Sequence, residues 1–191
     1  MNASDLEVMV RGWRTGAWWE REAALAWRNG NALIIPGRKD TDVYLARFWL
    51  SAAVRRSASQ GGEAIESGES LVLHYFARGD DDEALHDHPW DFRTTILIGG
   101  YRECLPPVEW MPTTVDGAVG PAWRERTEWR RAGETLGHLA TDLHCVQDVE
   151  HGTWTLVRTG PRVRPWGFHP PGQSWLGYRD FLGLDAAKAT A

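Results

Sequence analysis

Short β-branched and aromatic runs, set close together and punctuated by glycine, proline and asparagine, constrain the fold of this chain more than any other feature. Ala32-Leu33-Ile34-Ile35-Pro36 and the longer run from Val43 to Leu50 read as the first strands. Leu71 to Phe76, Thr94 to Ile98, Tyr101 to Cys104, Thr135 to His138, His144 to Val149, Thr153 to Thr159 and Val163 to His169 read as later ones. Gly99-Gly100 and Gly160-Pro161 supply turns. Helix is expected only at the start, from residue 4 to about 28, where Ser4 or Asp5 can cap and Gly12 and Gly16 predict a break. Residues 57–70 read as a mobile surface loop, 105–130 as an irregular insertion with one short strand, and 185–191 as a frayed tail. Many close strands with helix confined to one end predict an all-β barrel or sandwich. At 191 residues the chain suits one domain. The expected division is a helical extension over 1–40 packed on the barrel, the barrel over 41–184, and the tail.

Composition removes several classes of partner. With 21 basic and 26 acidic residues the net charge is −5, which gives no electrostatic case for nucleic acid or an acidic membrane. No run approaches the roughly 18 apolar residues of a membrane span. The amino terminus lacks a basic start followed by an apolar stretch, so no export signal is expected. Cys104 and Cys145 are too few for a disulfide scaffold and lack zinc-ribbon spacing, and a cytoplasmic location is the expectation. Phosphate-loop, Rossmann and serine-hydrolase motifs do not occur.

Chemistry concentrates in His86-Asp87-His88-Pro89-Trp90-Asp91-Phe92. On an extended segment, side chains two apart project to the same side, so the imidazoles of His86 and His88 can converge on one ion. Neutral imidazole is the commonest side-chain ligand for zinc, iron, copper and nickel. A histidine from a distant strand would complete the set and leave coordination positions open; His138 and His144 are the candidates. Asp91 can serve as a ligand if the strand bulges, or as an acceptor that orients an imidazole N–H.

His86-x-His88, followed a dozen residues later by Gly99-Gly100, resembles the first motif of the cupin superfamily; Gly137 and His144-x-Val146-x-Asp148 resemble the second. The runs Leu73-His74-Tyr75-Phe76, Trp154 to Val157, Thr159 to Arg162 and Trp166-Gly167-Phe168 are similar to those of small bacterial and phage cupins. The resemblance, spanning about residues 43 to 182, implies a double-stranded β-helix, or jelly-roll, barrel, and it favours His144 as the third ligand. Where that first motif usually carries a glutamate, this chain has Phe92 and Arg93. A three-histidine set of this kind resembles thiol dioxygenases and related oxygenases. It implies Fe(II), with zinc, manganese or nickel as alternatives.

The expected activity is therefore a metal-dependent dioxygenase acting on a small, carboxylate-bearing substrate. The alternatives are a redox-neutral isomerase, epimerase or lyase, and a non-catalytic small-molecule-binding cupin. Trp90 and Trp166 are expected as pocket walls and Arg164, on the same strand face as Trp166, as an anion anchor; Arg47, Arg93 and Arg158 compete for that role. His74 is a candidate substrate contact or a satisfied core histidine. Asp91 and Tyr101 are the candidate catalytic groups, although Tyr75 and Tyr178 have the same chemistry. An unprotected edge at Val43–Leu50 would favour a homodimer.

Overall fold

The helical start breaks where the two glycines sit. Helix α1 spans Ala3–Gly12 and α2 spans Trp18–Arg28. The cap of α1 is Asn2, not Ser4 or Asp5: its side chain accepts from the Asp5 N–H, and the Asp5 carboxylate accepts from the Asn2 N–H. The structure, a computed structural model, describes residues 2–13, 16–37, 42–50, 68–80, 84–110, 122–171 and 173–184. Most of the segment read as a loop at 57–70, and the tail at 185–191, lie outside the described residues.

The strands are β1 (Ala32–Pro36), β2 (Val43–Trp49), β3 (Ser70–Phe76), β4 (Leu85–His86), β5 (Phe92–Ile98) and β6 (Gly100–Trp110). They continue with β7 (Ala122–Arg131), β8 (Thr135–His138), β9 (Cys145–Gln147), β10 (Thr153–Thr159), β11 (Gly167–His169) and β12 (Leu176–Gly177), followed by the single turn α3 (Tyr178–Phe181). A six-stranded sheet has the order β1-β2-β3-β10-β5-β8. Two three-stranded sheets have the orders β12-β11-β4 and β7-β6-β9. An isolated antiparallel bridge between His86 and His144 links these two small sheets into one layer. All strand pairs among the described residues are antiparallel. The architecture is thus all-β, as expected, with two antiparallel layers around an interior.

Strand alternation sorts the six-stranded sheet into two faces. Ala46, Phe48, Leu73, Tyr75 and Trp154 turn outward and pack with Leu6, Val10, Trp13, Ala23, Ala24 and Ala26 of the helical segment. Trp13 meets Trp154 edge-on at 4.9 Å, and Tyr75 meets Trp154 at 5.2 Å. Burying each large side chain here contributes about 1.5–3 kcal/mol, which anchors the helices. On the opposite face Leu45, Phe76 and Ile96 pack against Tyr101 and Val146 from the small sheets. That second core is the floor of the site.

Several boundaries differ from those expected. β1, grouped by sequence with the helical extension, is an edge strand of the large sheet. It covers β2, so the apolar run Val43–Leu50 is internal and offers no open edge to a second copy. Of the stretch 105–130 expected to be irregular, 105–110 and 122–130 belong to the antiparallel pair β6 and β7, and 111–121 lie outside the described residues. Pro106 and Pro107 fall where the register shifts between Leu105 and Val108, so the missing N–H groups interrupt the ladder without ending it. Only 167–169 of the run 163–169 is strand, because Val163 and Arg164 direct their N–H groups to the Pro89 carbonyl. The β5–β6 turn needs Gly99, whose φ is +76° and whose Cα hydrogen faces Thr153 at a distance no methyl group would tolerate.

Candidate metal centre

His86 closes β4 and lies directly opposite His144. The His86 N–H donates to the His144 carbonyl at 2.8 Å, and the His144 N–H to the His86 carbonyl at 3.0 Å. His88, two residues on, projects to the same side. The ring centroids form a nearly equilateral triangle: 5.1 Å for His86–His88, 5.0 Å for His86–His144 and 5.1 Å for His88–His144. One nitrogen from each ring lies within 4.8 Å of the others. The Nε2 atoms of His88 and His144 are 2.8 Å apart. Two imidazoles reaching about 2.1 Å to one ion at a right angle would sit at nearly this separation, so the donor set fits a single transition-metal ion.

Asp87, between the two histidines, turns the other way and is 2% exposed. Its Oδ1 accepts from the Gly167 N–H at 2.7 Å, and its Oδ2 accepts from Arg164 Nη1 at 2.6 Å and Trp175 Nε1 at 3.1 Å. One buried carboxylate thereby ties the His-Asp-His segment to β11 and to the turn before β12.

The tautomer of His144 is set by a residue that the sequence did not single out. Glu103, on β6, is fully buried; its Oε1 lies 2.8 Å from His144 Nδ1 and its Oε2 accepts from Arg130 Nε at 2.7 Å. A carboxylate at Nδ1 fixes the proton there and leaves the Nε2 lone pair facing His88. His138 Nε2 stands 3.4 Å from the same Glu103 oxygen. The Glu103, His138 and His144 donors also group together, but His144 uses Nδ1 on that side and Nε2 toward His86 and His88. Burial pulls the Glu103 pKa upward, yet the hydrogen bond and charge of His144, with Arg130 and His138, outweigh it and hold the carboxyl at about 2. Burial, the neighbouring His144 and His86, and Arg47 and His138 hold His88 well below the usual imidazole value, so it is neutral at pH 7.

A cavity of about 80 Å³ opens over the three rings. Trp90 stacks on His88 at 5.0 Å and 12°, and Phe92 meets it edge-on at 4.6 Å. Trp90, His74 and Tyr101 line the cavity with the three histidines. Burial and the Glu103 charge raise the Tyr101 pKa, so its phenol is neutral. Trp166 stands behind His86, ring centroids 6.5 Å apart, and stacks on Tyr178 at 5.0 Å. Arg164 is engaged with Asp87 and the Ala140 carbonyl. Asp91 is exposed and accepts from the Ala140 N–H at 2.7 Å, away from the cavity; its neighbour in sequence, not its own carboxylate, faces the imidazoles. Among the other arginines, Arg158 pairs with Glu69 at the surface and Arg93 is exposed, whereas Arg47 lines the cavity. Cys104 and Cys145 are register partners across β6 and β9, and both are buried.

These charge states set a direction for acid stability. The depressed His74, His88 and His138 values mean that the unfolded chain binds protons first as pH falls through the usual imidazole range, so stability declines there. Glu103 contributes stability above its unfolded value of 4.5 and loses it between there and about 2. Both effects have one sign. The metal-free protein is expected to show urea midpoints that fall steadily from pH 7 to pH 4; a midpoint that is flat or rises would contradict the assigned charge states.

No family model matches the chain, and no curated protein sequence matches it. Solved structures similar to it include an RmlC-like cupin from Shewanella frigidimarina, at 16% identity and TM-score 0.35, covering 61% of this chain and 76% of that one. A protein of unknown function with a cupin-like fold, from Ralstonia eutropha, aligns at 15% identity and TM-score 0.36 over 64% and 67% of the two chains. A DMSP lyase from Ruegeria pomeroyi aligns at 13% identity and TM-score 0.39; the match covers 76% of this chain but only 57% of the lyase.

Proposed function

We propose that this chain is a mononuclear non-haem Fe(II) oxygenase acting on a small carboxylate-bearing substrate, with the ion held by His86, His88 and His144. The observation that supports this most directly is the convergence of three imidazoles at one cavity, with no carboxylate among the three donors. Three protein ligands leave positions open for exogenous ones, and iron so held supplies the redox chemistry that dioxygen requires.

The chain's own residues supply the rest. Glu103 retains the Nδ1 proton of His144 and so keeps its Nε2 available as a donor. Trp90 and Phe92 wall His88 and exclude bulk water, which protects reactive species formed in the cavity. Tyr101, buried and neutral, is a hydrogen-bond donor at the cavity wall.

Metal content by mass spectrometry on anaerobically purified, untagged protein tests the reading, alongside His144→Ala. About one iron per chain is expected, with loss of most of it in the variant. Zinc, manganese or nickel with no iron would shift the reading to a redox-neutral isomerase, epimerase or lyase using the ion as a Lewis acid. Full metal retention by His144→Ala, or no metal uptake even after reconstitution, would sink the assignment.

A further inference from the structure

The backbone bonds of β9 fix what kind of pair Cys104 and Cys145 make. His144 exchanges both of its backbone hydrogen bonds with His86. Val146 gives its N–H to the Asp80 carboxylate, and its carbonyl accepts from the Asp80 N–H. Cys145, between them, therefore turns its N–H and C=O the other way, toward β6, where Cys104 is its register partner. Theirs is thus a hydrogen-bonded pair, a kind that holds its Cα atoms about 5.5 Å apart, inside the range of about 4.4–6.8 Å that a disulfide spans. The Cβ atoms of such a pair also stand about 5.5 Å apart, whereas a disulfide draws them to about 3.8 Å. A bond made there is accessible but strained, and strained disulfides are the readily reduced ones. Strand alternation puts the two thiols on the face opposite Glu103 and His144, their chain neighbours, whose side chains meet at 2.8 Å.

We infer that Cys104 and Cys145 form a reversible redox switch: oxidation to a disulfide draws β6 and β9 together beside the Glu103–His144 contact and disturbs it. The oxidant is hydrogen peroxide, which is small enough to reach a nearly closed site. Cys104, 6% exposed against 1% for Cys145, meets it first. One peroxide oxygen passes to Cys104 Sγ, giving a sulfenic acid and one water. Cys145 Sγ then displaces the hydroxyl, forming the S–S bond and a second water. Two thiols lose two electrons and two protons in all, and peroxide takes them up. A dithiol reductant reverses the bond by exchange. The effect on a bound ion rests on the metal-centre reading; the bond and its effect on Glu103 and His144 do not.

The test treats folded, metal-free wild type with hydrogen peroxide, then with dithiothreitol. Intact mass under non-reducing conditions should fall by two hydrogens, with peptide mapping joining Cys104 to Cys145, and recover on reduction. Proton NMR follows the His144 Nδ1–H that Glu103 holds; its signal should shift or broaden on oxidation and return with the thiols. Cobalt affinity, read by competition with a chelating dye, should weaken about tenfold in the oxidised form, the scale of disturbing a partner behind a metal-binding histidine. Cys104→Ala and Cys145→Ala should each remove the response to peroxide; either one suffices if the other does not fold. Failure of the bond to form, or oxidation of either sulfur past the sulfenic acid without a cross-link, would overturn the switch. So would a cross-link that leaves the His144 signal unchanged. If wild type takes no cobalt in either state, the metal reading fails, and the mass and the His144 signal decide the switch alone.

Discussion

Glu103→Ala is expected to destabilise the metal-free protein by about 3–5 kcal/mol, the range for removing one partner from a buried ion pair. The size follows from what the carboxylate does. It is fully buried, it accepts from Arg130 Nε, and it sits on His144 Nδ1 and beside His138. Without it, Arg130 Nε loses its acceptor and the arginine falls back on Glu128, and the His144 Nδ1 proton loses its acceptor. Glu103→Gln separates the two roles. Its amide oxygen can still accept from His144, but its NH₂ group would face the Arg130 N–H, donor against donor. We expect a smaller loss, about 1–3 kcal/mol, together with metal affinity weakened about 10- to 100-fold. Urea unfolding of the metal-free variants and competition against a chelating dye read the two effects separately. Glutamine with wild-type metal affinity would mean that Glu103 is only a structural charge.

Asp87→Asn is expected to cost about 2–4 kcal/mol, although it changes one atom and touches none of the three clustered imidazole rings. Asp87 Oδ2 accepts from both Arg164 and Trp175, and an amide nitrogen there would oppose two donors. Turning the amide over moves the same conflict onto the Gly167 N–H. No rotamer satisfies all three. Because Asp87 lies between His86 and His88, the loss should loosen the histidine segment and β11 together. A lower thermal midpoint with altered Trp near-ultraviolet signal would register it. An unchanged midpoint would show that water replaces the carboxylate at this position without penalty.

What could be read from the residues followed a simple division. The convergence of His86 and His88 was legible because period-two alternation is local, and the motif resemblance favoured His144 over His138 as the imidazole that joins them. Glu103 was not. Its signal was present, an acid sharing strand parity with Tyr101 and Leu105, but which imidazole it meets depends on the β6–β9 register, where Glu103 lies opposite Val146. Asp91 drew attention by its closeness to His88 in sequence, yet the carboxylate on an imidazole nitrogen arrives from another strand. The arginines show the same limit. Parity says that Arg164 shares a face with Trp166; it does not say that Asp87 waits on that face. The all-β class survived because it depends on many strands, none of which had to be bounded correctly. The β6–β7 pairing was missed because Pro106 and Pro107 normally argue against a strand interior, and here they occupy a register shift.

The bridge between His86 and His144 also provides a clock. Its two amides are the reciprocal hydrogen bonds that join the small sheets, and each belongs to a residue whose ring forms the site. Any fluctuation that parts the strands must expose those two N–H groups to solvent and carry two of the three donors away from each other. Their deuterium uptake therefore counts how often the assembled constellation comes apart, residue by residue and with no ligand required. A substitution that shortens those lifetimes while sparing the amides of β3 and β10 would act on the site's assembly and not on the fold around it.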